Sequence, residues 1–221
     1  KILPEGMRLI AGVAGGVQEH VLSLVGLKRL SIAVRKEPKF ISKMFEKIGF
    51  LIREVDKIIA EKDYVCALRM GDDMGYKSST LLNPKTVREH VLPEHKKIVE
   101  VAHKKGKPFI LHSCGNLSEI IDQIIEDVKI DGWHSFQDLI LPVTKAKEQF
   151  GNQVALLGGI DLDTLCRSDQ HQLELYCKNV LEVCKKGGGY AFGTGNSVAN
   201  YVPLENFKMM LEFGKKYGKY E

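Results

Sequence analysis

Short β-rich runs alternate with longer stretches of helical periodicity along this chain of 221 residues. Apolar positions spaced by three and four residues predict amphipathic helices, and they occur at residues 40–59, 117–128 and 173–184. The runs that predict strands are residues 64–70, 108–111, 132–136, 154–157 and 190–192, with a sixth candidate at 7–14. Strands that alternate with helices imply parallel pairing through crossover connections, so the pattern predicts an α/β fold.

Local signals indicate where some helices begin and end. Asn116, followed three residues later by Glu119, has the spacing of a capping box and predicts a helix start. Pro93 interrupts the helical pattern of residues 86–105, which predicts a short helix, a break, and a second helix with the proline in its first turn. The three glycines at 187–189 are expected to form a helix C-cap and a loop.

Polar residues suited to chemistry follow most of the predicted strands. They are Asp72, Asp73, His112, Cys114, His134, Asp161 and Asn196. In a TIM barrel, the residues that follow the strands converge on one mouth. The glycine-rich segments 12–16 and 193–195 lack the spacing of a dinucleotide-binding turn and are expected to be tight turns.

We therefore predict a TIM (β/α)8-type barrel that forms a single domain over residues 1–221. Six strands are fewer than the eight of a full barrel, so the N-terminal one or two βα units are expected to be lacking. The first residue, Lys1, is not a methionine, which agrees with a missing start.

Composition excludes several classes of protein. Hydrophobic residues make up 44% of the chain, and no apolar run approaches the ~18 residues of a membrane helix. The five cysteines are an odd number without clustering, which indicates reduced thiols in the cytoplasm. The net charge of +4 is spread over interspersed positive and negative residues, whereas nucleic-acid-binding proteins concentrate basic residues on one face. We expect neither nucleic-acid nor membrane binding. The sequence does not decide whether the protein forms an oligomer.

The most informative motif is His112-Ser113-Cys114 at the end of the strand predicted at residues 108–111. Side chains alternate between the faces of a strand, so His112 and Cys114 point one way and Ser113 the other. An imidazole and a thiolate side by side form half of a tetrahedral zinc site. The structural alternative is a packed cysteine and a hydrogen-bonded histidine at a strand end.

The acidic pair Asp72-Asp73 follows the strand predicted at residues 64–70. Because the two residues are adjacent, only one would face a barrel mouth, and the other would cap a helix or meet solvent. Asp73 is a candidate catalytic residue and Asp72 a candidate substrate-binding residue. Tyr76, a few positions later, is a second substrate-binding candidate that would contact a carboxylate.

Three candidates lie in the second half of the chain. His134 is a candidate catalytic residue or ligand, or else a core histidine bonded to a main-chain carbonyl. Asp161 is a candidate catalytic residue that would orient the metal ligands without binding the metal itself. The alternative is that it stabilises the turn in which it lies. Asn196 is a substrate-binding candidate through its amide, or else stabilises the glycine-bounded loop around it.

These motifs together resemble the uroporphyrinogen decarboxylase superfamily, which also holds zinc-dependent corrinoid methyltransferases. The matching segments are residues 71–75, 83–84, 92–93, 112–116, 157–161 and 195–197, with Pro203 downstream. The resemblance extends over essentially all 221 residues and corresponds to the C-terminal two-thirds of the superfamily's barrel.

The two branches of the superfamily differ at the metal. In the methyltransferases, the resemblance implies zinc held by a His-x-Cys pair and a second cysteine after the last strand. His112 and Cys114 match the pair, but Asn196 stands at the later position, where the decarboxylases usually have a histidine. Asp73, Asp72 or His134 can complete the zinc shell, since each is an acceptable ligand type. The decarboxylases use no metal and bind a tetrapyrrole through residues near their N-terminus.

The resemblance implies a cytoplasmic zinc-dependent methyltransferase that passes a methyl group to or from a corrinoid (cobalamin) cofactor, carried by a partner protein. The first alternative is a decarboxylase that acts on the carboxylates of a tetrapyrrole in porphyrin biosynthesis. The second alternative is an inactive fragment, or a module that another polypeptide completes.

Overall fold

A computed structural model describes residues 3–220 of the chain. Residues 1, 2 and 221, which the single-domain prediction includes, lie outside the described part. Within it, contacts divide the chain into two compact units, with the boundary in the sequence between Asp131 and Gly132. The prediction of a single domain over residues 1–221 stays a prediction.

The first unit alternates strands and helices as the periodicity predicted. Its elements are β1 (Leu9–Ala11), α1 (Val17–Val25), α2 (Leu27–Lys36), α3 (Pro38–Ala60), β2 (Val65–Gly71), α4 (Pro84–Thr86), a π-helical segment (Val87–Val91), α5 (Leu92–His103), β3 (Phe109–His112), α6 (Ile121–Gln123) and a second π-helical segment (Ile124–Val128). The strands are parallel, with β2 paired to β1 and to β3. The sixth predicted strand is confirmed as β1.

The register between β2 and β3 determines which side chains meet at the carboxyl ends of these strands. Leu68 lies opposite Phe109, and Gly71 lies opposite His112. Leu68 and Phe109 are fully buried and belong to the core, as both faces of a parallel sheet are usually covered. The residues directly after Gly71 therefore lie beside those directly after His112.

The second unit repeats the same arrangement. Its elements are β4 (Gly132–His134), α7 (Val143–Phe150), β5 (Ala155–Leu157), α8 (Leu162–Arg167), α9 (Gln170–Cys184), β6 (Tyr190–Ala191) and α10 (Leu204–Tyr217). The strands are parallel, with β5 paired to β4 and to β6. The glycines at 187–189 all have positive φ in the loop after α9, as predicted. The α/β class is confirmed.

Two helix predictions are corrected. The stripe at 117–128 does not begin a helix at Asn116: the Asn116 side chain accepts a hydrogen bond from the Ser118 main chain, but no helix follows directly. Glu119 accepts from the Ser79 hydroxyl, so no capping box forms, and the helix starts at Ile121. The break expected before Pro93 is a π-helical segment, which runs directly into α5 with the proline in its first turn.

Residues 3–220 contain no helix with the length and hydropathy that crossing a membrane requires. All five cysteines are free thiols, as expected from their number and spacing.

Candidate metal centre

The carboxyl ends of β2 and β3 bring Asp73, His112 and Cys114 together. The main-chain N–H of Asp72 donates to the carbonyl of His112 over 2.9 Å, which extends the pairing of the two strands by one step. Ser113 is fully buried, and its hydroxyl accepts a hydrogen bond from the main chain of Met74. His112 and Cys114 are thus one side-chain period apart, as the alternation predicted.

The three side chains form a compact group of donor atoms. The ligating atoms of Asp73, His112 and Cys114 all lie within 4.8 Å of one another. The Sγ atom of Cys114 is 3.3 Å from Nε2 of His112, and Oδ1 of Asp73 is 3.6 Å from the same nitrogen. His112 is buried, whereas the Asp73 side chain is 40% exposed, so the group is reachable from one side.

The separations match the requirements of a tetrahedral zinc ion. With metal–ligand bonds of about 2.0–2.3 Å, tetrahedral geometry places neighbouring donor atoms roughly 3.3–3.7 Å apart. The two separations at the His112 nitrogen fall in this range. One thiolate, one imidazole and one carboxylate are ordinary zinc ligands, and three protein ligands leave one position for a substrate atom.

The loops that carry the three candidate ligands touch through two glycines. A Cβ atom on Gly115 would lie 2.3 Å from the carbonyl carbon of Gly75, and one on Gly75 would lie 2.6 Å from the carbonyl oxygen of Cys114. The Gly75 N–H donates to that same carbonyl over 3.0 Å. The Cys114 N–H in turn donates to Oδ1 of Asp73 over 2.8 Å. This close approach holds the Asp73 carboxylate beside Cys114.

Asp72 has a different environment from Asp73. Its side chain has no exposed surface, and its two oxygens accept hydrogen bonds from the main chains of Gln18 and Glu19 in the first turn of α1. His95 of α5 lies 2.7 Å from Oδ2 of Asp72. This is the helix-capping alternative considered for one of the two acids. Direct contact between Asp72 and a substrate stays a prediction. The complete burial of the Asp72 side chain does not favour it.

Asp161 lies in the second unit at the start of α8. Its Oδ1 accepts from the main chains of Asp163 and Thr164, and its Oδ2 accepts from the main chain of Asp138. The Tyr176 hydroxyl donates to Asp138 over 2.7 Å, and burial raises the pKa of the Asp138 carboxyl. These bonds favour the turn-fixing alternative for Asp161, and its catalytic role stays a prediction.

The remaining candidates have these positions. His134 ends β4 in the second unit, and its Nε2 lies 3.1 Å from the carbonyl oxygen of Thr194, the bond expected of the core-histidine alternative. Asn196 follows β6, and its side chain accepts from the main chain of Ser197. Tyr76 is exposed in the loop after β2. The roles of all three stay predictions.

Sequence reasoning missed the residues that surround Asp72. Gln18, Glu19 and His95 were assigned no role, although all three contact the acidic pair. Burial and the charges of Asp72 and Asp73 raise the pKa of the Glu19 carboxyl. One available signal was Gly16 with Glu19 three residues later, the spacing of a helix start, and the structure places this helix start against Asp72.

Comparisons with known proteins find relatives with two different names. A methylated-thiol–coenzyme M methyltransferase of Methanosarcina mazei is 31% identical over 131 residues, which are 59% of this chain and 33% of the relative. A uroporphyrinogen decarboxylase of Pelobacter propionicus is 26% identical over 134 residues, 60% of this chain and 37% of the relative. The matches thus span about a third of the length of each curated relative.

A solved structure and a family model cover far more of the chain. The structure, a methyltransferase from Methanosarcina mazei, superposes with a TM-score of 0.76 at 20% identity, over 99% of this chain and 61% of its own, which shows a shared fold. The family model described as uroporphyrinogen decarboxylase (URO-D) matches residues 3–217. The chain therefore belongs to the uroporphyrinogen decarboxylase family.

Proposed function

We propose that this protein is a zinc-dependent methyltransferase that passes a methyl group to or from a corrinoid held by a partner protein. The observation that carries the proposal is the group of Asp73, His112 and Cys114, whose donor atoms lie within 4.8 Å of one another. A group of this composition is the donor set of a zinc site with one open position.

Each residue of the group has a defined task in this proposal. His112 and Cys114 would hold the metal, and Asp73 would be the third ligand. Bound zinc supplies a Lewis acid that lowers the pKa of a thiol or polarises the heteroatom of a methyl donor. The half-exposed Asp73 carboxylate marks the side from which a substrate reaches the group.

Asp73 also accounts for the departure at Asn196. The methyltransferase branch is expected to use a second cysteine at that position, and an amide is a poor zinc ligand. A carboxylate in the group restores the count of three protein ligands. The relative named as a methylated-thiol–coenzyme M methyltransferase supports thiol methyl chemistry as the reaction.

The direct test is elemental analysis of protein purified without chelators. We expect about one zinc per chain, and we expect the His112→Ala and Cys114→Ser variants to lose it because each removes one ligand. Cys166→Ser is the matched control, since Cys166 is a half-buried thiol of the second unit and belongs to no such group within residues 3–220. Lack of stoichiometric zinc, even after reconstitution, would contradict the proposal.

A tetrapyrrole decarboxylase is the second candidate function. It is supported by the description of the family model and by two relatives with the name uroporphyrinogen decarboxylase, at 26% and 25% identity. Conversion of uroporphyrinogen to coproporphyrinogen that a chelator does not inhibit would replace the methyltransferase proposal with this one.

A further inference from the structure

The first turn of α1 contacts the main chain beside the candidate metal ligand Asp73. Gln18 is fully buried, and its side-chain Nε2 donates to the carbonyl oxygen of Asp73 over 3.1 Å. The main-chain N–H of Gln18 donates to Oδ2 of Asp72 over 2.9 Å. One residue of α1 therefore binds both members of the acidic pair, from 54 and 55 positions away in sequence.

Asp72 fixes the place of Gln18. Its second oxygen, Oδ1, accepts from the Glu19 main chain over 2.9 Å, and Nε2 of His95, only 1% exposed, lies 2.7 Å from Oδ2. A Cβ atom on Gly16 would lie 2.2 Å from Cβ of Asp72, so the close approach requires glycine there.

Gln18 also carries a cost that packing does not explain. Its Oε1 atom is buried and has no hydrogen-bond partner among the described residues. A folded protein with a buried amide that has one unsatisfied atom is less stable than one with an apolar side chain of the same shape at that position. The contact that an apolar side chain could not make is the bond from Nε2 to Asp73.

We propose that Gln18 is a positioning residue, which holds the main chain of Asp73 so that its carboxylate stays beside His112 and Cys114. The inference rests on the proposed function of these three residues as a zinc centre. The Asp73 carbonyl is held by Gln18, and its Oδ1 is held by the Cys114 main chain over 2.8 Å. The carboxylate of Asp73 is therefore held in place by one hydrogen bond to the main chain of the residue and one to its side chain.

The test measures metal affinity of the Gln18→Met variant, which keeps the length of the side chain and removes the donor. Residues that orient a metal ligand typically contribute about 10–100-fold to metal affinity. We expect a loss of this size for Co²⁺, measured by competition titration, together with a changed absorption spectrum of the bound Co²⁺. Gln18→Leu is the second variant, for use if the methionine variant does not fold.

Val21→Ala is the matched control. Val21 is fully buried on the same helix, so the substitution loosens the packing of α1, and an aliphatic side chain has no polar group that could bind the acidic pair. We expect it to lower the melting temperature and to leave Co²⁺ affinity unchanged. If it weakens Co²⁺ binding as much as Gln18→Met does, Gln18 acts only through the stability of α1, and the inference is wrong.

A double-mutant cycle determines whether Gln18 acts through Asp73. In protein that carries Asp73→Ala, we expect Gln18→Met to cause no further loss of affinity, because the ligand that it positions is gone. An equal loss in both backgrounds would overturn the inference, as would wild-type affinity in the single variant, and in both cases the metal centre would stand. Wild-type protein that binds neither Co²⁺ nor Zn²⁺ would refute the proposed function, and the inference with it.

Discussion

Asp72 and Asp73 are neighbours in sequence, but their carboxylates have opposite environments. Asp72 is buried, accepts hydrogen bonds from α1 and lies beside His95, whereas the side chain of Asp73 is 40% exposed beside His112. The alternation of side chains along a strand explains why only one of them faces the candidate ligands His112 and Cys114. The sequence could not tell which one, because the choice depends on contacts with Gln18 and Glu19, far away in the chain.

Asp56 on α3 provides a prediction about pH. It has no exposed surface, neither carboxylate oxygen has a hydrogen-bond partner among the described residues, and burial raises its pKa from 3.8 to about 7. The unfolded carboxyl loses its proton near pH 4 and the folded one near pH 7. The contribution of Asp56 to stability therefore falls by about 4 kcal/mol as the pH rises between these two values. Above the higher value it is constant.

Urea denaturation at pH 5 and pH 8 measures this effect. We expect the Asp56→Asn variant to lose the part of the pH dependence that Asp56 causes, because its amide does not titrate in this range. Asp63→Asn changes an exposed acid after α3 and is the control. A difference between pH 5 and pH 8 that is as large in Asp56→Asn as in the wild type would show that another group is responsible.

At the scale of elements, periodicity located the strands of both units to within a few residues, since apolar runs determine which segments are buried. Helix starts were less predictable. The start after Asn116 was misplaced because Glu119 binds Ser79, a partner 40 positions away. Local spacing specifies a capping box only when no distant group competes for the same side chains.

The contact between the loops after β2 and β3 provides a prediction at this scale. Gly115→Ala would place a methyl group 2.3 Å from the main chain of Gly75, at a residue whose φ is +85°. Gly106→Ala is the matched control, because Gly106 also has a positive φ of +64° but has no atom near the added methyl group. The control should cost roughly 1–2 kcal/mol from backbone conformation alone.

We expect Gly115→Ala to cost more than Gly106→Ala in chemical denaturation, and to weaken zinc binding because the two loops must separate. Equal losses of stability in the two variants, with zinc affinity unchanged, would show that the contact between the loops does not support the centre.

At the scale of the molecule, the family and the His112–Cys114 pair were predictable from sequence, since both rest on local motifs. The completion of the donor group by Asp73 was not decided, because Asp72, Asp73 and His134 all had acceptable chemistry. Gln18 was missed altogether, since a buried glutamine near a helix start carries no motif. Its partners are revealed only when α1 packs against the end of β2.

Zinc should stabilise the folded protein, because the three candidate ligands come together only in the folded first unit. A ligand that binds only the native state, at ~100 times its dissociation constant, adds about 2.7 kcal/mol to the free energy of unfolding. We expect a higher melting temperature with zinc at neutral pH, and a smaller increase at pH 5, where protons compete for the imidazole and the thiol. Differential scanning calorimetry measures both.

Cys114→Ser, which lacks the thiolate, is the control and should melt at the same temperature with and without the ion. An increase of the same size in this variant would mean that zinc binds elsewhere on the protein.

The register of β2 and β3 has a consequence for how the first unit folds. Gly71 lies opposite His112, and Ser113 points away from the ligand group. Sliding β3 by a single residue would turn the imidazole and the sulfur to the far face and present a hydroxyl in their place. An ion that binds during folding would therefore bind only strands in the native register. Metal binding would then stabilise that register relative to a shifted one.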